Sequence, residues 1–212
     1  MGTPDSIFVV LILLNLYLLS VSRLEATINA VAIQGVLLGI LPAILVVQPS
    51  IEVIVTGFLA IVVKGFIFPI LLRRAMREAR VRKEVDSSTG FIVSLILGAS
   101  GTCAAVSLAA GLPLLDQFAH SLLIPTAFSI ILTGFLLLTT RRRAITQVVG
   151  FLVLGNGIFL FGLTLINAIP SLVDIGMLFD LCVWVFVIGV ILNQVQRTFS
   201  SLDTNRMTVL RH

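Results

Sequence analysis

Charge is scarce in this 212-residue chain: 11% of residues are charged against 58% apolar, and the mean hydropathy is +1.15. Such a composition excludes a soluble globular domain, and the apolar runs have the length of membrane-spanning helices rather than of barrel strands. Cysteine is nearly absent. Cys103 and Cys182 both lie in apolar runs without CxxC spacing, so neither a disulfide framework nor a cysteine metal site is expected. The two histidines, His120 and His212, form no ligand cluster, and there is no HExxH, nucleophile elbow, phosphate-binding loop or GxGxxG. A self-contained enzyme is therefore not expected, and with several spans to build, the chain leaves little for an extramembrane catalytic domain.

The charges that are present sit in a pattern. The net charge is +4, which on a soluble protein would suggest nucleic acid, but 13 of the 14 Lys and Arg residues fall in alternate loops. Arg23 occupies one loop; Arg73, Arg74, Arg77, Arg80, Arg82 and Lys83 the next; Arg141, Arg142 and Arg143 a third; Arg197, Arg206 and Arg211 the tail. Such asymmetry encodes membrane topology and predicts an all-α integral membrane protein of seven transmembrane helices, N-terminus outside and C-terminus inside. The first apolar run follows Asp5 with no basic segment before it, so it reads as a retained span rather than a cleaved signal. The expected spans are 7–22, 26–47, 52–72, 90–112, 118–139, 144–168 and 174–195. The basic loop after Leu72 also suits a cytoplasmic partner or acidic lipid.

Polar features punctuate these spans. Gln34-Gly35 with Gly39 makes a small-residue face for close helix approach, and Pro42 predicts a kink. The fourth span is rich in small residues from Gly98 to Ala105, which predicts a helix enclosed by others. Gln34-Gly35, then Pro49-Ser50, Glu52 and Lys64, is echoed by Asn156-Gly157, then Pro170-Ser171, Asp174 and Asp180. This spacing predicts a parallel three-helix repeat: a first unit over 1–72, a basic cytoplasmic loop over 73–89, a linker helix over 90–116, a second unit over 117–195 and a cytoplasmic tail over 196–212.

Lys64 is the fourteenth basic residue and the exception to the loop rule. It lies 12 residues from Glu52, about 18 Å at 1.5 Å per residue, and about 14 Å from Arg73. A head group that far from water costs about 3 kcal/mol or more unless a partner or water receives it, so its default reading is functional. Asp180 and His120 are the other ionisable groups within spans. Lys64, Asp180 and His120 are thus the candidates for an ion path, with Gln34 and Asn156 as supporting polar groups. Each also has a plain structural reading: a neutral lysine or one snorkelling into an interhelical gap, a hydrogen-bonded acid, an interfacial histidine and two packing amides.

The segments RRRAITQVVGFLVLGNG, IPSLVDIGMLFD and QRTFSSLDTNRMTVLRH between Arg141 and His212, with AIVVKGFIFPILLRR around Lys64 and AHSLLIPTAF around His120, resemble the hydrogenase-4 component E family. The tail motif SLDTNRMTVL is the most specific. The last three helices of that family are in turn similar to the small K-type subunit of respiratory complex I and the C-type subunit of multisubunit cation/proton antiporters. The resemblance implies a non-catalytic membrane-arm subunit of a complex-I-like, proton- or sodium-translocating assembly of the group 4 [NiFe]-hydrogenase or formate hydrogenlyase type, in a prokaryotic inner membrane. It implies antiporter-like membrane subunits and lipids as partners, no nucleic acid, and no cofactor in this chain, with [NiFe] and iron-sulfur clusters in partner subunits. Asp180 falls where K-type subunits carry a membrane glutamate, and Lys64 and His120 match family positions. Family members often have Glu before the Asn-Gly pair; here Gly155 stands there. A subunit of a multisubunit Na⁺/H⁺ antiporter, an ion-coupled solute transporter and a structural spacer are the competing readings.

Overall fold

A computed structural model of the chain describes residues 3–45, 51–78, 90–111, 122–165 and 189. Among them every regular element is helical: α1 (Thr3–Ser20), α2 (Leu24–Leu45), α3 (Ile51–Ala60), a π-helical segment (Ile61–Ile67), α4 (Phe68–Glu78), α5 (Phe91–Gly111), α6 (Leu123–Thr140) and α7 (Ala144–Leu165). Five helices are long and apolar enough to cross a membrane: Leu24–Leu45, Ile54–Arg77, Phe91–Gly111, Leu123–Thr140 and Ile145–Thr164, with the apolar α1 shorter. The protein is therefore a helical membrane protein. The expected seventh span, Asp180 and His120 lie outside the described residues.

Proline placement follows helix chemistry. Pro4 and Pro125 sit in first turns, where the missing N–H has no intrahelical acceptor in any case. Pro69 is different, because α3, the π segment and α4 run on continuously. An α-helical Pro69 would drive its ring against the carbonyl of Gly65. The chain instead widens before it, and the Phe68 N–H reaches back five residues to the Val63 carbonyl. Lys64 is at the centre of this widened turn. The helix then continues to Glu78, so the first residues of the expected basic loop are helical.

Glycine sets the closest approaches. A methyl group added at Gly134 would lie 2.6 Å from Leu154 N, and one at Gly157 2.7 Å from Ile131 N, so α6 and α7 meet backbone to backbone. On α2, Gly35 abuts Lys64 and Gly39 abuts Gly57 and Ile61, as the small-residue face predicted. Thus α2 touches α3, the π segment and α4 as well as α1 and α7, while α1 also touches α5 and α6.

Two polar contacts mark one end of the bundle. Arg73 Nη2 donates to Asn29 Oδ1 at 2.5 Å, tying the middle of α4 to the second turn of α2. Arg141 Nη2 donates to the Leu19 carbonyl at 3.1 Å, and its guanidinium lies 5.0 Å from the Phe91 ring centroid, joining the ends of α1 and α6 to the start of α5.

The fourth span departs from expectation. Rather than being enclosed, α5 lies at the edge of the described helices, with Ser94, Gly98, Ala105 and Ala109 as its buried residues. Cys103, Ala104 and Ser107 face outward with Ile92, Ile96 and Leu108. The reason is numerical: small residues every three or four positions suffice for one contact stripe, and among the described helices α1 and α6 line that stripe.

Candidate functional site

In the middle of the bundle three amide side chains from three helices form a hydrogen-bonded chain. Asn156 Nδ2 on α7 donates to Gln34 Oε1 on α2 at 3.2 Å, and Gln34 Nε2 donates to Asn15 Oδ1 on α1 at 2.9 Å. Asn15 and Gln34 are wholly buried and Asn156 is 2% exposed. Polar groups removed from water in this way are tolerated when they bond one another. Sequence reasoning picked out Gln34 and Asn156, and the structure joins them directly. It missed Asn15, a lone amide in the run LILLNLYLLS whose partner lies 19 residues on.

Lys64 adjoins this chain. Its side chain is 5% exposed and turns into the bundle, with Nζ 4.7 Å from the centroid of the Phe159 ring on α7. That is within the ~6 Å range in which a ring face attracts a cation. Lys64 therefore neither snorkels to water nor points at lipid. Its backbone and Cβ rest against Gly35, next to Gln34, while Phe159 is three residues beyond Asn156 on the same helix. The lysine and the amide chain thus share α2 and α7 as walls.

A second polar stripe runs along α6. Thr126, Ser129 and Thr133 are buried, and the Ser129 hydroxyl meets the Thr102 hydroxyl of α5 at 2.9 Å. Between α5 and α6 an apolar groove of about 310 Å³ is lined by Leu97, Gly98, Gly101, Leu132, Thr133, Phe135, Leu136 and Thr139.

At the basic end Arg141 is 2% exposed, just beyond the spans, and burial holds its guanidinium below its ordinary pKa by penalising the charged form. Its bond to Leu19 places a cation on the last carbonyls of α1, where the helix dipole favours one. Among the described residues no group of three His, Cys, Asp or Glu side chains is placed to hold a metal ion.

Comparison with known proteins gives distant relatives. The chain is 28% identical over 190 residues to an uncharacterized protein of Mycobacterium tuberculosis (Rv0085), covering 89% of this chain and 86% of that one. It is 24% identical over 204 residues to hydrogenase-4 component E of Escherichia coli K12, covering 95% and 94%, and the same figures hold for the Shigella flexneri protein. No family model and no solved structure matches the chain.

Proposed function

We propose that this chain is a membrane-arm subunit of a complex-I-like, redox-driven ion-translocating assembly, in which Lys64 is the central charge of a polar axis through the bilayer. The observation that carries the reading is a lysine enclosed at mid-span, held against a ring and bordered by a buried amide chain. An ammonium retained in such a place is a functional group by default. The nearly full-length similarity to hydrogenase-4 component E supports the choice of assembly.

On this reading the chain has seven spans in a prokaryotic inner membrane, its arginine-rich end in the cytoplasm, with Asp180 and His120 as further members of the ion path. Antiporter-like subunits are its neighbours in the membrane, and [NiFe] and iron-sulfur chemistry belongs to partner chains. The mechanism is electrostatic. Electron transfer in a partner alters the charge along the axis, and the proton on Lys64 or Asp180 moves in response.

Purifying the native assembly and identifying its members tests the assignment: hydrogenase subunits support it, while antiporter subunits without redox partners refute it. Lys64→Ala is expected to lower ion pumping by the assembled complex well beyond any loss in assembly. A mutant that assembles and pumps like the wild type would remove Lys64 from the path.

A further inference from the structure

The helices that carry the amide chain are also the helices that hold the lysine. Gln34 is followed by Gly35, and a methyl group there would lie 2.6 Å from the Lys64 Cβ and 3.1 Å from its carbonyl carbon. So α2 fixes where the lysine's backbone sits. Three residues after Asn156, on the same side of α7, comes Phe159, whose ring receives Nζ. So α7 fixes what the head group meets.

Whether backbone and ring are in register for one side chain depends on how α2 lies against α7. Apolar packing between helices is weakly directional, and a slide of one turn, about 5.4 Å, would keep most of it. The Gln34–Asn156 bond would not survive such a slide, and each amide would be left in an apolar interior without its partner. Asn15 adds the remaining constraint. It takes the Gln34 Nε2 hydrogen from the far side, so Gln34 is gripped at both ends of its amide and cannot swing away from Asn156.

We infer that the Asn15–Gln34–Asn156 chain is a positioning device for Lys64: it locks α2 against α7 in the one register that lays the ammonium on the Phe159 ring. Its functional meaning rests on the reading of Lys64 as the charge of an ion path; the geometric claim does not. Asn15, Gln34 and Asn156 act through Lys64 and need not touch the ion themselves.

The chain offers a clean probe, because Lys64 and Lys83 are its two lysines. In the full-length protein carrying Lys83→Arg, reconstituted in lipid nanodiscs, lysine labelled with ¹³C at Cε and ¹⁵N at Nζ reports Lys64 alone. The ε-methylene protons of Lys64 are expected upfield of free lysine, displaced by the ring current, and Phe159→Leu should abolish that displacement. Gln34→Leu and Asn156→Leu should abolish it too. Asn15→Leu, which frees one side of Gln34, should give a partial loss.

An unmoved Lys64 signal in folded Gln34→Leu and Asn156→Leu protein would overturn the inference. If those variants fail to fold, Asn15→Leu decides: a reduced displacement supports the proposal and an unchanged one refutes it. Ion transfer by the native assembly is measured separately. A displaced Lys64 signal in the wild type, together with full pumping by Lys64→Ala, would sink the ion-path reading and leave the positioning claim standing.

Discussion

Adding one methyl group at selected glycines should rank the helix contacts by stability. At Gly134 the new carbon would lie 2.6, 2.7 and 2.8 Å from N, Cα and Cβ of Leu154. Ordinary contact begins near 3.4 Å, so the gap is short by 0.8 Å at the closest atom. The obstacle is backbone, so no rotamer change relieves it, and α6 and α7 must separate by about that distance. A radial gap of 0.5–1 Å forfeits about a quarter to a half of each contact's attraction, ~0.1–0.2 kcal/mol per atom pair, and one buried leucine makes about 40–60 such contacts. Opening the contacts of a single leucine by this much therefore costs about 1–6 kcal/mol, centred near 3. The better helix propensity of alanine returns about 0.5–1 kcal/mol of it.

Gly157→Ala faces Ile131 N at 2.7 Å and should behave alike. Gly150→Ala meets Leu138 N at 3.0 Å and should cost less, whereas Gly101→Ala finds Leu132 carbons at 3.8 and 3.9 Å and should be neutral or mildly stabilising. Reversible unfolding in mixed micelles, followed by circular dichroism, measures the order. Gly134→Ala and Gly157→Ala as stable as Gly101→Ala would refute the backbone-contact argument.

Gly35→Ala presses on the backbone of Lys64 and is expected to disturb the lysine's ring-current displacement while leaving helix content unchanged, readable in the labelled protein. Thr102→Val removes the hydroxyl pair with Ser129 and should cost about 0.6 kcal/mol, an average value for hydrogen bonds between membrane helices, checked by a double-mutant cycle with Ser129→Ala. Arg141→Lys keeps the charge but loses the planar fork that reaches the Leu19 carbonyl and the Phe91 ring; a loss of about 1–2 kcal/mol in the same unfolding assay is expected.

Much of this architecture is legible in the residues. Span lengths follow from apolar runs, and the basic loops mark their ends, because lipid and water impose those constraints locally. The Gly35–Gly39 face announced a close approach, and Lys64 announced itself by being a cation far from either end of its run. What was hidden depends on partners distant in the chain. Nothing near Asn15 reveals that Gln34 will meet it, and Phe159 is one of 14 phenylalanines until the fold brings it beneath the ammonium. The small residues of α5 specify a stripe for contact but not how many helices will use it, which is why an enclosed helix was expected where an edge helix stands. The widened turn before Pro69 is not legible in the sequence: a kink and a widened turn both accommodate the missing N–H, and packing chooses between them.

The widened turn around Lys64 has a consequence for how this rod can change in length. Between two regular helical stretches, a five-residue reach absorbs one more residue than a straight helix would use over the same rise. Deleting a single residue from Ile70 to Leu72, beyond the widened turn, would rotate everything on one side by about 100° relative to the other. Either the ammonium would leave its ring or Arg73 would swing away from Asn29, so the two ends of this helix are phased to each other through the count of residues between them.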